Sequence, residues 1–329
     1  MSNITIANSS LISTSPSQAQ LIEFVNFLNK IISQYGLAVI WLIGNIGSIL
    51  MCIVFTQPTY RHSPCAIFFL AASLSQFFTY NFALLTHMLC NGYGVYALRN
   101  SLWYCKLLSY LLYISVSIPR YDIILASMDR YFASSPEVIY RQRSSPKIAF
   151  RLILANVLIW SLLYIQVIVI YDIEDGICTY PSNAYGIFFS IYIALDTGVL
   201  PLLLMLTFGL LTVRNVHQMK NRIGPGVRPN QTRLSRKDLQ LHRMLANQIV
   251  LFVILNVPNP AYLIYQSITL RLLDSPLRRT SEVFAESMTY VLIYLGFSLT
   301  FCNFMISSTI FRREFHRLIR TKILRRPDL

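Results

Sequence analysis

Seven stretches of this chain are apolar for long enough to cross a lipid bilayer, which sets the class of fold before any single residue is weighed. A spanning helix needs about 20 mostly apolar residues. The runs lie at roughly 34–56, 64–89, 102–133, 147–171, 184–213, 240–269 and 282–310. The first contains LAVIWLIGNIGSILMCIVF and the fifth GVLPLLLMLTFGLL. Pro119, Pro201 and Pro258 interrupt three of them. Spanning helices tolerate this, because neighbouring helices and Ser or Thr side chains re-satisfy the freed backbone groups. Only 13% of the residues are charged, against about 25% in soluble domains. The expected fold is an all-α membrane protein, a seven-transmembrane helix bundle over 33–310. An extracellular tail at 1–32 precedes it, and a short amphipathic C-terminal helix and cytoplasmic tail at 311–329 follow.

Basic residues set the orientation, since loops on the cytoplasmic side collect Lys and Arg. With the N-terminus outside, the outer segments hold only Lys30, Arg99, Lys106, Arg271, Arg278 and Arg279. Arg120 falls within the membrane, and the rest of the 28 basic residues face the cytoplasm. The net charge of +14 is spread over loops between apolar runs, so nucleic acid is not an expected partner, whereas the bilayer is. The first residues, MSNITIANSSLISTSPSQAQ, do not read as a cleaved signal peptide. They offer glycosylation sequons at Asn3 and Asn8. The expected location is the plasma membrane, multi-pass, with the C-terminus inside.

The third run ends in SMDRYFASSP, which places Asp129, Arg130 and Tyr131 in a row. A solvated helix end would accept any charge there. A switch at a membrane surface is the sharper reading. Arg120 and Asp122 lie mid-run, and intramembrane charges default to a functional hypothesis with a named partner. For Arg120 the candidate is Asp196 in the fifth run; backbone carbonyls freed by Pro119 are the alternative. Of six cysteines, Cys105 and Cys178 share the outer, oxidising side, and a bridge between them would pin the loop DIEDGICTYPSN across the bundle. Cys90 is also outer but has no obvious partner.

These motifs, in this order and orientation, resemble a rhodopsin-like G-protein-coupled receptor over about residues 33–325. The resemblance rests on Gly44-Asn45, on Cys105 with Arg130 25 residues on, and on Trp160 and Pro201. FVILNVP (Phe252 to Pro258) and NFMIS (Asn303 to Ser307) complete it. There are departures. The second run supplies Ser73, Ser75 or Gln76 where the family has an acid, the sixth has Asn256 in place of a Trp, and the seventh has Phe304 and Ser307 in place of Pro and Tyr. The resemblance implies a Cys105–Cys178 disulfide and a heterotrimeric G protein as partner, with Asp129, Arg130 and Tyr131 at the coupling site. Asp238 lies 20 residues before Pro258, about 30 Å along a helix. An Arg130–Asp238 pair would hold the bundle closed until the sixth helix swings outward.

Leu112 stands where amine receptors carry an Asp, and Phe297 where opsins carry a Lys, so a peptide is the expected ligand. FGLLTVRNVHQMK, DRYFASSP and IFRREFHRL look most like invertebrate neuropeptide receptors, including those for FMRFamide-like peptides. Asp172, Glu174, Asp175, Glu282 and Glu286 would form an acidic mouth, and carboxylates bind an Arg guanidinium bidentately. An aromatic end of the peptide would then enter among Tyr113, Phe189, Tyr192, Tyr262, Tyr265 and Tyr290. Asn45 and Asn303 join the intramembrane polar set. The five His residues show no metal-ligand spacing, and no catalytic constellation or cofactor is expected. The rival class is a transporter or a seven-helix protein without G-protein signalling. A transporter implies inverted repeats and paired broken helices, and would leave the Asp-Arg-Tyr triplet unexplained.

Overall fold

The computed structural model describes residues 16–95, 101–174, 177–181, 184–222, 236–269 and 275–320. Six helices are long and apolar enough to cross a membrane: α1 Pro16–Phe55, α2 Pro64–Gly92, α3 Leu102–Ala133, α4 Pro146–Ile170, α5 Ala184–Gln218 and α6 Asp238–Gln266. The seventh span, α7, is a pair, Pro276–Ser298 and Thr300–Ser307, bent by 41°. α8, Thr309–Leu318, follows at once. Between α4 and α5 a hairpin pairs β1 (Asp172–Glu174) with β2 (Ile177–Thr179), Ile173 opposite Cys178. The expected seven-helix membrane bundle is therefore the observed one.

The helix ends follow from local chemistry. α2, α4 and α7 each begin with a proline, whose missing N–H would have had no intrahelical partner there. Ser145 caps α4 by accepting from the Ile148 N–H at 3.4 Å, and Ser308 caps α8 by accepting from the Phe311 N–H at 3.1 Å. Prolines also shape the interiors. α6 is interrupted at Val257, just before Pro258, and α5 widens into a π-helical turn, Leu195–Val199, ahead of Pro201. Pro119 leaves α3 continuous.

α1 departs from expectation. It begins at Pro16, inside the segment expected to be an extracellular tail. Its 40 residues span about 60 Å at 1.5 Å per residue, twice the hydrocarbon thickness. Apolarity marks only the membrane-embedded part of a helix. QAQLIEFVNFLNK continues the same helix in good helix formers and packs against α7. The polar residues 1–15, with Asn3 and Asn8, lie outside the described residues, as do 321–329 of the expected tail.

Two cores bracket the bundle. At the disulfide end, Trp160, Tyr164, Val167, Tyr171 and Phe189 pack around Cys105. At the other, Phe55 of α1 meets Phe69 of α2 (5.6 Å between ring centroids), Phe304 of α7 (5.8 Å) and Phe311 of α8 (5.5 Å). Small residues allow the helices to approach closely. A Cβ on Gly44 would sit 2.6 Å from Cζ of the fully buried Tyr80, and one on Gly198 would collide with the Pro260 ring. Gly44→Val should therefore destabilise the protein by about 2 kcal/mol, typical of overpacking. Gly36→Ala, whose new Cβ meets only Ile32 Cγ2 at 3.4 Å, should leave stability unchanged. Thermal unfolding of the two purified variants checks this.

Candidate functional site

α3 carries a distinct site at each end. At its start, Cys105 is bonded to Cys178, with their Cα atoms 5.7 Å apart. This ties the β-hairpin across the bundle. Beneath the hairpin is a cavity of about 340 Å³ walled by α2, α3, α4, α5, α6 and α7. Its lining is rich in tyrosine: Tyr113, Tyr164, Tyr171, Tyr290 and Tyr294, with His87, Asn259 and Glu286. The Tyr113 hydroxyl is 2.7 Å from that of Tyr171, and its ring stacks on Tyr164 at 5.1 Å and 10°.

The expected ligand residues divide here. Tyr113, Tyr290 and Glu286 line the cavity, whereas Tyr192, Tyr262 and Tyr265 do not. Phe189 is fully buried behind it, in ring contact with Tyr113 and Tyr171. Glu282 and Glu286 do not act as a pair. Glu282 Oε1 accepts from Arg278 Nε at 2.9 Å and from the Tyr265 hydroxyl at 3.3 Å. Glu286 has no ion-pair partner among the described residues. Asp172 is exposed on β1 and accepts from the Ile173 N–H. Glu174 lies on β1 with its side chain outside the description, and Asp175 lies outside the described residues altogether. Tyr164, Tyr171 and Tyr294 are not singled out by the sequence, where an aromatic in an apolar run reads as core, and His87 is weighed there only as a metal ligand. A tyrosine hydroxyl in such a run was the available signal, because a buried one seeks a partner.

At the other end of α3, Arg130 is 1% exposed. Its Nη2 and Nε donate to Asp129 Oδ2 at 2.6 and 3.1 Å, and Nη1 donates to Asp238 Oδ1 of α6 at 2.9 Å. The second Asp129 oxygen accepts from Ser144 Oγ at 2.6 Å. Tyr131 turns toward α5, with its ring 6.0 Å from Phe208 and its carbonyl accepting from Asn215 Nδ2. Three α6 residues that drew no attention in the sequence add to this closure. Gln240 donates to Thr309 Oγ1 at 2.6 Å and accepts from Ser308 Oγ and the Ile310 N–H. Asn247 donates to Ser307 Oγ at 2.7 Å, and Gln248 accepts from Asn303 Nδ2 at 2.9 Å. Positions 240, 247 and 248 share one helix face, so their spacing in QLHRMLANQ was a legible signal.

The mid-membrane charges are arranged differently from expectation. Arg120 is 1% exposed, yet none of its three guanidinium nitrogens has a hydrogen-bond partner among the described residues. Neither the Arg120–Asp196 ion pair nor the carbonyl contacts form. Instead Arg120 Cζ stands 5.9 Å from the centre of the Phe252 ring on α6. Asp196 Oδ2 is taken by the hydroxyls of Ser117, at 2.7 Å, and Tyr164. Its Oδ1 has no partner among the described residues. Asp122 accepts from Asn156 Nδ2 at 2.9 Å, and Asn45 accepts from Asn81 Nδ2 at 2.7 Å. Asn256 packs beside Gly296, with Oδ1 unpartnered among the described residues. Among the described residues no group of three His, Cys, Asp or Glu could hold a metal ion.

Nothing among curated proteins matches the chain. Residues 47–310 match a family described as 7 transmembrane receptor (rhodopsin family). That stretch runs from the C-terminal part of α1 to the first turn of α8 and takes in the cavity, the Arg130 cluster and every helix between them. The chain belongs to the rhodopsin family of seven-transmembrane receptors.

Proposed function

We propose that the chain binds an extracellular peptide in the tyrosine-lined cavity and activates a heterotrimeric G protein by outward movement of α6. The N-terminus, with sequons at Asn3 and Asn8, then lies outside and the C-terminus inside. One observation carries the reading: the buried Arg130 is shared between Asp129 of α3 and Asp238 of α6. A charge buried at a membrane surface needs its partner, so the pair favours the closed arrangement. An agonist need only bind the open one better. Asp238→Asn should raise basal guanine-nucleotide exchange several-fold at matched surface expression, whereas uptake of solutes should be absent. Unchanged basal exchange overturns the lock.

The narrower reading is an invertebrate neuropeptide of the FMRFamide-like class, with a basic residue beside an aromatic end. Tyr113, Tyr290 and Glu286 suit those two groups, while Glu282 is already neutralised by Arg278. Glu286→Gln should therefore weaken a cognate basic peptide at least tenfold, about 1.4 kcal/mol. Glu282→Gln should change its potency less than about threefold. Dose–response curves in the exchange assay, with a peptide library as the source of agonist, measure both.

Ser117 and Tyr164 offer a route from cavity to α6. Both line the cavity and both hold Asp196. Ligand contacts that draw their hydroxyls away leave Asp196 free to attract Arg120 off Phe252, loosening α6. Tyr164→Phe should then raise basal exchange about two- to threefold. In an Asp196→Asn background the same change should add nothing, since coupling through a shared partner is non-additive.

A further inference from the structure

A groove of about 400 Å³ opens on the flank where α2, α3 and α4 meet, apart from the cavity and away from the α6 contacts of Arg130. Its floor is apolar: Phe68 of α2, Leu125, Met128 and Phe132 of α3, Ile148 and Leu152 of α4. Beside it α4 exposes Phe150 and Leu154, 62% and 61%, which marks this flank as facing acyl chains. The groove is polar at one end only, where Asp129, Arg143 and Ser145 line it. An enclosed apolar floor with one charged end has the shape of an amphiphile's site.

The charge left unengaged at that end is basic. Arg143 stands over the Tyr140 ring at 5.4 Å, and that ring is stacked on Phe132 at 6.2 Å and 4°. The guanidinium is thus held in position at the mouth of the groove by a cation–π contact. Lys147 and Arg151, in the first turns of α4, are four apart on one side of that helix and exposed; they lie next to the groove-lining Ile148 and Leu152 in sequence without lining the groove themselves. None of the three has an acidic partner among the described residues. Asp129 leaves nothing for a cationic headgroup, since Arg130 takes one of its oxygens and Ser144 the other.

We propose that this groove binds one phospholipid with a net negative headgroup. An acyl chain lies along Phe68, Leu125 and Leu152, the phosphate meets Arg143, and Lys147 and Arg151 complement the remaining headgroup charge. Anionic lipids are concentrated on the cytoplasmic leaflet and attract basic residues beside spanning helices. Long Arg and Lys side chains can reach such headgroups from the first turns of a helix. The proposal depends on the family assignment and not on the peptide reading. It also gives the lipid a consequence: Ser144, the neighbour of Ser145, holds Asp129, so a bound headgroup steadies the loop that orients Arg130's partner.

The test uses the full chain, purified and delipidated in detergent, with native mass spectrometry as the readout. Phosphatidylserine, phosphatidylcholine with the same chains, and soluble glycerophosphoserine are titrated separately. The first phosphatidylserine should bind at least tenfold tighter than the first phosphatidylcholine. The triple variant Arg143→Ala, Lys147→Ala, Arg151→Ala should lose that preference while keeping its melting temperature. Leu152→Trp, which fills the floor, should weaken both lipids, and glycerophosphoserine should not compete. Equal binding of the two lipids overturns the proposal. So does a preference that survives in the triple variant, which would move the site elsewhere, such as the basic α8. Glycerophosphoserine binding as well as the intact lipid would make this a phosphate site and overturn it too.

Discussion

A bilayer offers no water to a backbone amide, and most of this structure follows from that constraint. Every spanning segment is helical, since helices satisfy their own N–H and C=O groups. The same constraint governs the small polar side chains along the spans, which turn back on their own helix. Ser73 donates to the Phe69 carbonyl, Ser127 to Ile123, Thr197 to Ile193 and Thr212 to Phe208. Larger polar groups turn back too, as Asn45 does to the Trp41 carbonyl and Asn81 to the Phe77 carbonyl, but they have polar atoms left over for a neighbouring helix. The cross-helix contacts of Asn45 with Asn81, Asp122 with Asn156, and Asn303 with Gln248 are the outcome.

The two buried arginines of α3 show opposite solutions to one problem. Arg130 sits at a helix end with carboxylates on two helices, and three hydrogen bonds at 2.6 to 3.1 Å place its charge. Arg120, ten residues earlier, has the Phe252 ring 5.9 Å from its Cζ and no hydrogen-bond partner among the described residues. A paired buried charge defines one arrangement of helices, and an unpaired one leaves an alternative arrangement close in energy. Having both on one helix suits a receptor, in which α3 must be held at one end and responsive in the middle.

The departures from the family pattern have structural counterparts. Phe304 occupies the position of the family's proline and closes an aromatic cluster with Phe55, Phe69 and Phe311. α7 bends nonetheless, at Leu299, between its two helical pieces. Ser307, in place of a tyrosine, bonds Asn303 and Asn247 and so joins α7 to α6 through short side chains. Asn256, in place of a tryptophan, packs beside Gly296, where a Cβ on the glycine would come within 3.0 Å of the Asn256 Nδ2. Short polar side chains thus line the α6–α7 seam at these positions.

Much was legible without coordinates. Long apolar runs have nowhere to go but the membrane, so the number of spans followed from composition alone. The Asp129-Arg130-Tyr131 triplet stood out because charge is rare along such runs, whereas Asp238 and the Cys105–Cys178 pairing came with the resemblance to rhodopsin-like receptors. The start of α1 was not legible, since a helix leaving the bilayer stops being apolar without stopping being a helix. Only the folded bundle decided which polar groups meet. Glu282 turns to Arg278 while Glu286, one helical turn on, lines the cavity; Asp196 goes to Ser117 and Tyr164 rather than to Arg120. A hydrogen bond needs its partners placed to within a few tenths of an ångström. Apolar periodicity specifies which face of a helix is inward, but the rotation, bend and rotamers that bring two particular atoms together arise from packing against every neighbouring helix at once.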